Sequence, residues 1–168
     1  LYPYFSWRYG TTPIAISGKA FGNAGAAALA GATLTAVSGG VAIGSASSGA
    51  DGYYYILGDA SSLDANGAIA YLDGNLDTGA GFGDVIGTNG IQGLDVYSAA
   101  MRLFTGQGSL SATRSRYLAA RGSHADSDLA FLSYGDFANL TSSGYGLYLA
   151  ASAASYSLDT NLGSGGLL

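Results

Sequence analysis

The chain has 168 residues and a net charge of −5, and its charged residues amount to 10%, well below the roughly 25% of an ordinary soluble domain. Leu, Ile, Val and Phe make up about 22% of it, enough to build a core, and so small a net charge does not hold a chain open. Every acid is aspartate and the bases are one lysine and five arginines, which argues against an enzyme built on Glu- and Lys-rich surface helices and against binding the phosphates of a nucleic acid.

Residues 1–13 read as an extended aromatic arm. Leu1, Tyr2, Tyr4, Phe5 and Trp7 crowd its start, and Pro3 keeps it out of a helix. Such a segment left in water is an apolar patch that marks an interaction site, unless its own domain covers it. Residues 14–105 read as a β-sandwich module. Ile14 to Phe21 is a strand after Pro13, and Thr33 to Val37 pairs through a Gly39-Gly40 turn with Val41 to Ser45. Ala24 to Ala32 is alanine-rich but interrupted by glycine, and is expected to be a loop. Asp51-Gly52 reads as a type I′ turn into the strand Tyr53 to Leu57, whose alternate tyrosines divide between core and surface. Ala68 to Leu72 and Leu94 to Tyr97 follow as strands, while Gly79 to Gly83 has the look of a loop.

Residues 106–168 read as a second strand-rich region, packed on the first or continuing it. Leu110 to Arg121 fits one short helix, with Ser109 or Ser111 as N-cap and Gly122 as its stop. Leu129 to Leu132, Gly146 to Leu149 and Ser155 to Leu158 then recur as strand-like runs, either further sandwich strands or the first rungs of a β-solenoid. The expected class is therefore all-β, an antiparallel sandwich of immunoglobulin-like or transthyretin-like type with at most one short helix. The start without Met and the end at Leu167-Leu168 suggest that both ends are cuts in something longer.

Two stretches carry a resemblance. Ile16-Ser17-Gly18-Lys19-Ala20, then Leu29-Ala30-Gly31-Ala32-Thr33-Leu34, then Asp51-Gly52-Tyr53-Tyr54-Tyr55-Ile56 resemble the carboxypeptidase-regulatory-like, transthyretin-like sandwich pattern. Trp7 to Pro13 and Gly93-Leu94-Asp95-Val96-Tyr97 with Leu103-Phe104-Thr105 resemble segments of filamentous-haemagglutinin-type bacterial surface proteins. The resemblance implies export, a place at the bacterial cell surface, and a spacer or adhesive role with no catalytic residues.

Chemical patterns are sparse. Without cysteine there is no disulfide, zinc-thiolate or thiol chemistry, and one histidine, His124, cannot make a multi-histidine metal site. No apolar run approaches the 18 or more residues of a membrane span. Asp73, Asn75, Asp77 and Asp84 supply oxygens at positions 1, 3, 5 and 12 of a calcium-loop spacing. Position 6 is Thr78 instead of glycine, so an Asx-rich turn is the simpler reading. His124 beside Asp126, Asp128 and several serines lacks the G-x-S-x-G elbow of a hydrolase and reads as a loop histidine. The 13 tyrosines supply core mass for a chain poor in Val and Ile, and also suit a carbohydrate-facing surface. Two functions follow as expectations. The first is a non-enzymatic structural or adhesive module that binds copies of itself head to tail. The alternative is a secreted carbohydrate-binding module, with host or matrix glycans as partners and calcium as its one candidate cofactor.

Overall fold

Strand alternation and two glycine turns set up the first half of the molecule, in a computed structural model that describes residues 7–22, 27–74, 77–132, 137 and 144–158. Strand β1 (Ile14–Gly22) is the spine of a five-stranded sheet. On one side it pairs antiparallel with β2 (Ala27–Ala28) and β5 (Tyr53–Gly58). On the other it pairs parallel with the two-residue strands β8 (Gly90–Ile91) and β9 (Val96–Tyr97). The second sheet has six strands. Its order is β11 (Gly146–Ala151), β10 (Ala100–Thr105), β7 (Ala80–Gly83), β6 (Ala68–Leu72), β3 (Thr33–Ser38) and β4 (Val41–Ser47).

The chain is thus mostly β, two sheets face to face with one α-helix, α1 (Leu110–Arg121). Both sheets are mixed, not purely antiparallel. β7, β10 and β11 run parallel to one another, and parallel neighbours need long crossovers. The chain between β7 and β10 makes one by visiting the other sheet as β8 and β9, and α1 lies within the next. Its boundaries follow the caps: the Ser109 hydroxyl accepts from the Ala112 N–H, and Gly122 closes the last turn on the Leu118 carbonyl. Leu129 to Leu132 falls in a 3-10 turn (Ser127–Leu132) instead of a strand, and Ser155 to Leu158 makes one bridge, Ser157 to Ser109. β11 joins the sheet edge, so among the described residues no solenoid rungs form.

The two glycine turns differ. Gly39 and Gly40 both have positive φ, 56° and 82°, as a two-residue type I′ hairpin requires. At Asp51-Gly52 only Gly52 is left-handed, at 78°, so the turn is not type I′. The Gly49 N–H donates to the Tyr53 carbonyl and the Gly52 N–H to the Gly49 carbonyl, a three-residue loop ending on a left-handed glycine.

β6 is buried on both faces, and its alternation divides the core in two. Ala68, Ala70 and Leu72 meet Ile16, Tyr54, Ile56 and Leu94 between the sheets, whereas Ile69 and Tyr71 join Phe82, Leu110 and Tyr117 beneath α1. The inter-sheet layer also admits a strip of backbone. Ideal Cβ atoms on Gly18 and Gly81, one from each sheet, would stand 2.2 Å from the Leu94 carbonyl oxygen and 2.6 Å from that of Asp95. Only glycine on both sides lets this segment pass. Its Leu94 N–H donates to the Ser17 carbonyl at 2.9 Å, and the Leu94 carbonyl accepts from the Tyr54 hydroxyl.

Candidate functional site

Asp73 stands one residue beyond the end of β6, where the strand's polar exit turns toward the chain that follows α1. There it meets Asp126 and Asp128. One carboxylate oxygen from each lies within 4.8 Å of the others, and all three residues are half-buried. Every carboxylate is anchored. The Thr35 hydroxyl donates to Asp73 Oδ2 at 2.5 Å, and the Tyr71 hydroxyl to Asp126 Oδ2 at 2.8 Å. The Gly74 N–H donates to Asp128 Oδ2 at 2.6 Å and the Asp128 N–H to Asp126 Oδ1 at 2.8 Å. Burial, reinforced by the bond to Asp126 and the surrounding negative charge, pushes the Tyr71 phenol well above its usual range. It therefore stays protonated and remains a donor. These three aspartates could hold a metal ion, and an all-oxygen set suits a hard cation.

The other expected ligands are elsewhere. Asp77 is exposed, and Asn75 lies outside the described residues. Asp84 follows β7, and the register Tyr71 to Ala80, Ala68 to Gly83 puts it at the opposite end of the β6–β7 hairpin from Asp73. That is a separation of roughly 14 Å or more along the strands, so the two cannot share an ion. Asp84 instead accepts from the Thr105 hydroxyl, the Gly106 N–H and the Gln107 side-chain amide, tying down the end of β10. Asp126 and Asp128, which sequence spacing did not connect with Asp73, become its partners through the packing of the segment after α1. His124 Nε2 lies 3.3 Å from the Tyr71 hydroxyl, at the margin of this cluster.

A second feature lies where β4 and β5 pack against each other. An open groove of about 600 Å³ runs between Ser45–Ser47 on one side and Tyr53 and Tyr55 on the other, with Arg8 and Tyr9 across it. Tyr53 and Tyr55 are 37% and 41% exposed, because β5 turns Tyr54 and Ile56 inward. Their rings are 6.5 Å apart. The Tyr9 hydroxyl donates to the Leu57 carbonyl at 3.2 Å, and the Arg8 guanidinium lies 5.7 Å from the Tyr9 ring centre. Asp51 closes one end. The Tyr53 N–H, donating to its Oδ1 at 3.1 Å, and Lys19 Nζ, 3.4 Å from Oδ2, hold its carboxyl below the usual range. Of the aromatic arm, Trp7 is 80% exposed, and Leu1, Tyr2, Tyr4 and Phe5 lie outside the described residues. Among the described residues, no helix is long and apolar enough to cross a membrane. No family model, no curated protein and no solved structure matches this chain.

Proposed function

We propose that this chain is a structural, adhesive β-sandwich module of a bacterial extracellular surface protein, without catalytic activity, that associates with copies of itself. The observation that carries the reading is the state of the six-stranded sheet's two edges. β4 reads Val-Ala-Ile-Gly-Ser-Ala-Ser and β11 Gly-Leu-Tyr-Leu-Ala-Ala, with no charge and no proline in either. Solitary sheet proteins guard such edges with lysine, proline or bulges, since the unpaired N–H and C=O groups of an edge are a template for another chain. β4 has one such device, a register shift that leaves Ile43 unmatched, whereas β11 stays in register with β10 along its whole length. β4 runs opposite to β11, so two copies in the same orientation would join edge to edge as an antiparallel pair. That contact is heterologous, and it propagates unless its rotation closes a ring. The resemblance of residues 14–57 to exported sandwich modules, and the near absence of Lys and Glu, support the cell-surface setting.

For the aspartate cluster we favour calcium, because Ca²⁺ takes oxygen ligands in flexible geometry and fills its shell with water or backbone carbonyls. Bound there, it would clamp the end of β6 to the segment after α1. The self-association reading is tested by sedimentation and electron microscopy of the unaltered chain beside Ser45→Lys and Ala151→Lys, which place a cation on each edge. Assemblies of the unaltered chain that either substitution dissolves are the expected result. A chain that stays a monodisperse monomer at high concentration overturns the reading. Deleting residues 1–9 separates any contribution of the aromatic arm from that of the edges.

A further inference from the structure

The groove between β4 and β5 has a chemistry that edge pairing does not use. The core explains Tyr54 and Ile56 on β5 but makes no demand for aromatics at the outward positions 53 and 55, where serine or threonine would serve a strand as well. Two tyrosine rings side by side at a groove wall, tilted 37° to each other, present apolar faces with polar rims. At 600 Å³ the groove is within the 300–1,000 Å³ range of small-ligand sites. A hollow of about 430 Å³, sharing Arg8, Tyr9 and Leu57, extends it to Asp59 and Ser62, giving an elongated site. The charged groups are few and of both signs. Asp51, kept ionised at neutral pH, can only accept, whereas Arg8 can only donate.

We propose that this groove binds an oligosaccharide, with the C–H faces of its sugar rings on Tyr53 and Tyr55 and its hydroxyls bonded to Asp51 and Arg8. A sugar ring presents both an apolar C–H face and an edge of hydroxyls that donate and accept, which matches this mixture. An aliphatic ligand would leave Asp51 and Arg8 without use, and a strongly anionic one would meet the Asp51 carboxylate. The proposal goes beyond self-association and does not depend on it.

The test uses the whole chain, at a concentration where it is monomeric, on a printed array of defined oligosaccharides, followed by titration with the best-retained one. Trp7, the chain's single tryptophan and next to Arg8 in sequence, gives a fluorescence readout. The expected result is retention of at least one oligosaccharide, with affinity lowered about tenfold or more in Tyr53→Ala/Tyr55→Ala, a change of about 1.4 kcal/mol. Tyr53→Phe/Tyr55→Phe keeps the stacking surface and should keep most of the affinity, which guards against mistaking misfolding for lost binding. Chelator should leave binding unchanged, because none of the proposed contacts is a member of the aspartate cluster. Retention of no glycan, or equal affinity in the double alanine variant, overturns the proposal. So does loss of self-association in that variant with no glycan retained, which would assign the groove to a second copy of the chain.

Discussion

Replacing Gly52 with alanine tests the turn geometry and the tightness of the five-stranded sheet together. Gly52 sits at φ 78°, and an L-residue held in the left-handed region costs about 1–2 kcal/mol. The added methyl would also stand 2.5 Å from the Ala20 carbonyl oxygen. That oxygen cannot easily retreat, since it accepts from the Leu29 N–H at 2.9 Å, while the Ala20 N–H is bonded to the Gly52 carbonyl at 2.8 Å. Forcing an atom into such a site adds about 1–3 kcal/mol, so the total is about 2–5 kcal/mol. Gly93→Ala is the control. Gly93 has nearly the same φ, 71°, with nothing within 4 Å of its Cβ position, so its cost should be the conformational 1–2 kcal/mol alone. Urea unfolding followed by circular dichroism gives both values, provided the slope with denaturant is unchanged. Equal destabilisation by the two substitutions would refute the claim that the Ala20 carbonyl blocks the site.

Three further outcomes are expected. Burial pushes the Tyr117 phenol from its usual 10.0 up to about 12. The folded state therefore holds a proton that the unfolded state gives up, and stability is intact below pH 10 and falls between pH 10 and 12. The loss is about 2–3 kcal/mol from this group, and urea midpoints across that range should decline less steeply in Tyr117→Phe. Millimolar calcium should raise the melting temperature, by about 2.7 kcal/mol of stability if the ion is present at a hundred times its dissociation constant; an Asp128→Asn variant that responds as fully as the unaltered chain would remove calcium from the cluster. Ser109→Ala removes the acceptor for the Ala112 N–H at the start of α1 and should cost about 1 kcal/mol by chemical denaturation.

Where a local signal and the tertiary packing agree, the sequence is readable. β3, β5 and β6 have β-branched or aromatic alternation between glycine or aspartate turns, and α1 has a serine cap and a glycine stop. β7 is the opposite case. Ala-Gly-Phe-Gly has the propensity of a loop, yet it is a fully buried strand, because the Asp95 backbone crosses so near Gly81 that no side chain fits. The residues that hide the strand are the ones its packing requires. Parallel pairing of β7, β10 and β11 is equally illegible, since direction depends on crossovers and not on any property of the strands themselves. The candidate metal centre was half visible: Asp73 stood out, but its partners come from more than fifty residues away, and no spacing connected Asp126 and Asp128 with it. At the groove, alternation foretold that the tyrosines of β5 would divide between core and surface, and the structure turns Tyr54 inward and Tyr53 and Tyr55 outward.

The backbone strip threaded between the sheets affects how the molecule can open. Gly18 and Gly81 lie against Leu94 and Asp95 from opposite sides, and the Leu94 N–H is bonded to β1 and its carbonyl to β5. Solvent can reach the Leu94 amide only if the sheets part, so its hydrogen exchange should proceed through global unfolding instead of local fraying. The strands that grip this strip, β1, β5 and β7, should therefore open together and not one at a time.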